Sequence, residues 1–337
     1  MKRTAQRLLF WAALCCAVVI AGCGTATNLN QGSSGSEGEP KPLKTVKVGY
    51  NIGALVLEAF LEPGIEQGFF KKEGFDLKPQ GYGNGGQIMQ DLVSGNIDIG
   101  LAGISPALNA AAQGADVLYV SSFAKNDCPL VARTEIKTIQ DLNGKTVGTL
   151  GLASIQETML NYLEKKYGIR TKHVYGNQPS LAAMYQKGEV QAVVAGEPVA
   201  AQIVHQYGGH YLMDTVIPDA EAAGVVVKTS FAKNRPDDVV AFLRAVEETS
   251  KYITSHLDEV ANQAAQKTGL TPDIVKEAME RSKLFQTPLT VSRQTLGDII
   301  QTDIESGKLK GIQSNQINEL LNKAIDESFL QKALSNK

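Results

Sequence analysis

Tryptophan is almost missing from this 337-residue chain, and the one present, Trp11, lies in an N-terminal apolar run. Cysteine is scarce too. Cys15, Cys16 and Cys23 crowd the start and Cys128 stands alone afterwards, so a disulfide framework is excluded. The four histidines, His173, His205, His210 and His256, are scattered, and no Cys/His/carboxylate group has metal-ligand spacing. No G-x-S-x-G elbow and no Walker loop occurs. These absences argue against hydrolase, NTPase and metal chemistry, and no cofactor is expected. No basic stripe marks a nucleic-acid partner. The longest apolar run, Leu8 to Ala21, is shorter than the ~20 residues that span a bilayer.

What is present begins with Lys2, Arg3 and Arg7, followed by an uncharged stretch from Leu8 to Ala21 and then Ile20-Ala21-Gly22-Cys23. A basic start, a short apolar run and small residues before a cleavage point make a secretory signal over residues 1–22. Its Gly-Cys ending resembles the bacterial lipoprotein signal, which implies lipid on Cys23 and an anchor on the outer face of the cytoplasmic membrane. Residues 23–44 are mostly Gly, Ser, Thr, Asn, Gln, Glu and Pro, too polar to fold, and read as a flexible tether. Losing three basic residues with the signal takes the 33 basic and 35 acidic residues to a net charge near −5, ordinary for a soluble exported body. Cys128 is expected as a small buried apolar residue.

From Val46 the chain alternates short β-branched runs with amphipathic segments, which predicts parallel α/β sheets covered by helices. The expected strands are 46–50, 76–80, 97–102, 117–122, 130–133, 146–150, 173–175, 192–195 and 224–228. Helices are expected at 87–93, 106–113, 156–167 and 181–186, then at 236–256, 258–267, 272–281, 291–307 and 315–327. Ser154 with Glu157 spells a capping box, and Ser105-Pro106 and Thr271-Pro272 spell a capping hydroxyl before proline. Val46–Tyr50 and Thr146–Leu150 each open a β-α-β run, which suggests two similar lobes. Ligands of such sheets bind beyond the carboxyl ends of the strands, where glycine loops and helix starts can cradle anions. Those loops are 50–53, 81–87, 103–105, 151–154 and 196–197.

Gly81-Tyr82-Gly83-Asn84-Gly85-Gly86-Gln87, then Asp91-Leu92-Val93-Ser94-Gly95-Asn96-Ile97-Asp98-Ile99-Gly100, then Gly103-Ile104-Ser105-Pro106 form an ordered series. Ile139-Gln140-Asp141-Leu142-Asn143-Gly144-Lys145-Thr146-Val147-Gly148, Gly196-Glu197-Pro198 and Asp326-Glu327-Ser328-Phe329-Leu330 continue it. The series resembles the periplasmic binding proteins of ABC importers for nitrate, taurine, aliphatic sulfonates and related small molecules. The resemblance implies a type II periplasmic binding protein fold: two α/β lobes, joined by two crossover segments, with a ligand cleft between them. Lobe 1 would be residues 45–126 plus 223–337, and lobe 2 residues 127–222. It further implies a monomer that captures a small anion and serves a permease and an ATPase, or a lipoprotein that senses its ligand for a membrane receptor. A binder of a thiamine pyrimidine precursor is a third reading.

Carried over residue by residue, the resemblance points to Tyr50, Asn51, Gly85, Gly86, Gln87 and Ser105 in lobe 1. In lobe 2 it points to Ala153, Ser154, Gly196 and Glu197. Tyr50 would be an aromatic wall or a strand-end core residue. Ser154 would touch ligand or serve only as a cap. Glu197 would pair with a ligand amine or stabilise its own helix start. Lys125, near the first crossover, would neutralise an anion or stay solvated. Sulfonate-type members often carry tryptophan where this chain has Gly196, so that stacking wall is missing.

Overall fold

The computed structural model describes residues 42–125, 128–285 and 289–335. The signal, Cys23 and nearly all of the expected tether lie outside them. Among the described residues, ten strands form two five-stranded sheets. The first holds β1 (Lys44–Asn51), β2 (Phe75–Tyr82), β3 (Ile99–Gly103), β4 (Leu118–Lys125) and β10 (Glu221–Val227), in the order β2-β1-β3-β10-β4. The second holds β5 (Leu130–Arg133), β6 (Thr146–Thr149), β7 (Lys172–Tyr175), β8 (Ala192–Val194) and β9 (Gly209–Met213), in the order β7-β6-β8-β5-β9. Each sheet keeps the same plan: a parallel trio, one reversed strand, and the departing strand at the edge.

The expectation of wholly parallel sheets is corrected here. β10 runs antiparallel to β3 and β4, and β5 antiparallel to β8 and β9. The cause is where the chain enters. After each crossing it arrives at the sheet end nearest the other lobe, so Ala223 pairs with Gly103 at the end of β3, and Leu130 with Val194 at the end of β8. A strand that starts where its neighbours finish has to run backwards. Gly224 allows β10 to fit, because a Cβ there would collide with the Ser121 carbonyl and the Tyr119 ring.

β9 has no counterpart among the expected strands. Its five residues are all half-buried and begin on the second of two glycines, so Gly209–Met213 lacks the apolar alternation that marks a strand. β1, in contrast, shows its position plainly. Val46 and Val48 are buried while Lys44 and Lys47 are exposed, and parallel neighbours flank it on both sides.

Several helix starts differ from expectation. Ser154 caps Ile155–Tyr167 by accepting from the Glu157 amide at 3.1 Å, but Glu157 turns inward instead of closing a box. The Ile104–Ala112 helix begins one residue before Ser105, so that hydroxyl does not cap it. Thr271 makes no side-chain cap on Pro272–Arg281 either. The apolar core is continuous across the sheets on one side. Ile104 and Leu108 belong to the same cluster as Leu130, Met159 and Leu160, together with Leu296 and Ile299 of the Arg293–Glu305 helix. No helix among the described residues is long and apolar enough to cross a membrane.

Candidate ligand-binding site

A cavity of about 40 Å³ lies where the carboxyl ends of the two sheets face each other. Asn51, Gly85, Gly103 and Pro106 line it from the first sheet, and Leu150, Ser154, Ile155, Gln156 and Gln178 from the second. Ala222 and Ala223, where the chain crosses back into β10, complete it together with Phe123 and Leu284. A single water needs ~10–15 Å³ on this measure, so the enclosed space suits a solute of few heavy atoms.

The lobes touch on both sides of the cavity. A Cβ at Gly86 would lie 3.0 Å from the Ala153 Cβ, and one at Gly53 would lie 3.1 Å from Pro179 and 3.2 Å from Gln178. The two helix starts therefore meet tip to tip. On the first side, Gly85 opens the Gly85–Ser94 helix, and a Cβ there would come within 2.6 Å of the Pro106 ring. That close approach is why glycine stands at this position. Asn84 caps the helix by accepting from the Gln87 amide at 3.1 Å.

On the second side the helix start rests on buried charge. The Ser154 hydroxyl donates to the Gly151 carbonyl at 2.7 Å while accepting from Glu157. Glu157, 2% exposed, accepts from Thr149 at 2.7 Å and pairs with His173 Nδ1 at 2.8 Å. Burial pushes the Glu157 pKa up, but hydrogen bonds from His173 and Thr149 outweigh it and hold the group below its ordinary range. His173, bonded first to Glu157 and also to Glu164, is raised to about 9. Beneath the same turn, buried Lys308 donates to the Ser154 carbonyl at 3.0 Å and lies 3.1 Å from Asp303. Burial lowers the Lys308 pKa against the pull of Asp303.

Of the residues singled out in the sequence, Asn51, Gly85 and Ser154 line the cavity. Gly86 and Ala153 meet at its edge. The others lie elsewhere. Tyr50 packs half-buried against the first core. The Gln87 side chain accepts from the Gly83 amide at 3.0 Å, tying down its own loop. The Ser105 hydroxyl is fully buried 3.1 Å from Thr158 Oγ1, and Thr158 in turn donates to Asp303 at 2.6 Å. Lys125 pairs with buried Glu221 at 3.3 Å, where β4 meets β10. Gly196 precedes Glu197, whose carboxylate accepts from the Ala201 amide at 2.9 Å and sits 3.6 Å from Arg281. Glu197 thus serves its own helix start and the C-terminal segment.

Gln178, Lys308 and the His173 pair have no counterpart among the sequence candidates. Asn177-Gln178-Pro179 follows β7 as a helix start with a capping residue and a proline, a signal of the same kind as those used elsewhere. Lys308 follows a helix end and carries no local sign of burial. Among the described residues no group of His, Cys, Asp or Glu could hold a metal ion.

Residues 62–260 match the family described as NMT1/THI5 like. A Bacillus subtilis protein named for binding aliphatic sulfonates is 24% identical over 329 residues, covering 94% of this chain and 93% of that relative. The taurine-binding periplasmic protein of Escherichia coli is 24% identical over 264 residues, covering 71% of this chain and 78% of that protein. The solved alkanesulfonate-binding protein of Xanthomonas axonopodis pv. citri superposes with a TM-score of 0.68 at 19% identity, covering 83% of this chain and 98% of that one. The two sheets and their covering helices have the type II periplasmic binding protein fold of this neighbour.

Proposed function

The chain belongs to the NMT1/THI5-like family, and on that premise we propose that it is the solute-binding component of an ABC importer. It captures a small organic anion between residues 45–126 plus 223–337 on one side and residues 127–222 on the other. One observation carries this reading: two helix starts, at Gly85 and at Ser154–Gln156, border one cavity from opposite sheets. Helix N-termini offer unpaired amides and the positive end of a dipole to an acid group. Because the solute touches both lobes, it binds the closed form better than the open one and shifts that equilibrium by the difference. Lipid on Cys23 would tether the body beside its permease and ATPase.

Thermal-shift screening of the purified full chain tests the ligand class. Alkanesulfonates, taurine, nitrate, small carboxylates and pyrimidines form the panel. A true ligand at 100 times its Kd stabilises the fold by ~2.7 kcal/mol. A small organic anion is expected to raise Tm. A panel in which only the neutral pyrimidines raise it overturns the anion reading. Loss of uptake on deletion, with growth otherwise normal, separates transport from sensing.

A further inference from the structure

The Pro272–Arg281 helix of the C-terminal segment serves both sides of the molecule. Its Ile274, Val275, Ala278 and Met279 are buried in one cluster with Val46 and Val48 of the first sheet. Glu277 and Arg281, one turn apart, meet groups of the second sheet instead. The Arg281 guanidinium lies 2.6 Å from Asp214, just past β9, and 3.6 Å from Glu197. It also stacks on the Tyr211 ring of β9, 3.7 Å from the ring centre. His205, on the Val199–Tyr207 helix, pairs with Glu277 at 2.8 Å, and Asp219 pairs with Lys283 at 3.1 Å.

Glu197 is 1% exposed, and a buried carboxylate needs a charged or hydrogen-bonding partner. Arg281 brings one from the other side of the cleft. We propose that Arg281 is an inter-lobe latch, a cation that grips Glu197, Tyr211 and Asp214 while the cleft is closed and releases them as it opens. A planar fork suits this place, because it meets two carboxylates and lies flat on a ring at once, which an ammonium does not. The grip has slack. Arg281 Nε is buried without a hydrogen bond among the described residues, 3.6 Å from Glu197 Oε1. Such bonds reach to ~3.2 Å, so a shift of about half an ångström between the lobes completes this one. The latch supplies part of the closure that a solute would otherwise drive, and it thereby sets the apparent affinity for any solute. It needs a cleft that opens but no particular solute, so its test is separate from the ligand panel.

β2 and β7 are the sheet edges farthest from the strands where the chain crosses, so the distance between them reports opening. Nitroxides on ketone-bearing residues placed at exposed Lys78 and Lys172 of the full chain give that distance by double electron–electron resonance. Without any solute, Arg281→Met is expected to raise the longer-distance, open population about tenfold over wild type. Asp214→Asn, at a side chain 71% exposed, is expected to raise it about twofold, and it carries the test should Arg281→Met not fold. Lys276→Met breaks only the pair with Asp258 inside the C-terminal segment and should leave the distances unchanged. Unchanged distances in Arg281→Met, or in Asp214→Asn where Arg281→Met does not fold, overturn the latch. So does an equal rise in Lys276→Met, which would mean general loosening, and so does a wild-type chain that is already open in most molecules.

Discussion

At Asn84–Gln87 the chain turns into a helix using amides and glycines alone, whereas at Ser154–Glu157 the facing turn rests on Glu157–His173 and Lys308–Asp303. The first start takes its shape from backbone fit, since Gly85 has to approach Pro106. The second is held by charges brought from β7 and from beyond the Arg293–Glu305 helix, more than a hundred residues away in sequence. The lesson is that similar cradles can be made locally or assembled over long range, and only the local kind shows itself in a short sequence window. The C-terminal segment accordingly does more than cover the first sheet. Through Asp303 and Lys308 it also supports the second helix start, and Glu305 pairs with Lys165 in the last turn of the same helix.

Breaking the charge under the second start should have the largest effect. Lys308→Met leaves the buried Asp303 carboxylate facing Thr158 without its ammonium, and removing one partner of a buried pair costs ~3–5 kcal/mol. Denaturant unfolding should report that loss, and an unchanged midpoint would mean that the second start does not depend on the pair.

A smaller effect is expected at His173, and its sign depends on pH. The folded pKa of about 9 exceeds the ordinary 6.5, so the stabilisation is complete below pH 6.5 and fades as pH rises toward 9. The imidazole is 17% exposed, so solvent screens part of the pairing and about 1–2 kcal/mol is expected at neutral pH. His173→Gln should flatten Tm across that window. Glu157, held low, contributes above its ordinary range and loses its effect as acid protonates it.

The smallest effect sharpens the comparison directly. Ser154→Ala and Asn84→Ala each remove a capping oxygen, worth ~1 kcal/mol. The serine change should cost more than the asparagine change, because Ser154 also holds the Gly151 carbonyl. Equal losses in denaturant unfolding would mean that the bond to Gly151 adds nothing to the cap.

Much of the scaffold was legible in the sequence because strand and helix patterns are local. Val46, Val48 and Lys47 announce β1, and the Gly85-Gly86 pair announces a helix start closely approached by Pro106 and Ala153. Ser154 carried its capping role openly. Gln87 and Ser105 misled for a physical reason: a side chain's residue type says what it can bond, while its rotamer and neighbours decide what it does bond. Gln87 spends its carbonyl on Gly83, and Ser105 spends its hydroxyl on Thr158. Glu197 and Lys125, candidates for ligand charge, are likewise committed to the protein's own groups.

By itself, the sequence determined the periods of its strands and helices and the glycine-bearing turns between them, since these follow from backbone sterics and apolar spacing over a few residues. The directions of β5 and β10 were decided only in three dimensions, because they depend on the end at which a returning chain meets a finished sheet. So was the placing of Asn51 and Gln178 on the wall of one cavity. Residues so far apart in the chain share a site only after both sheets have formed and their rims have met.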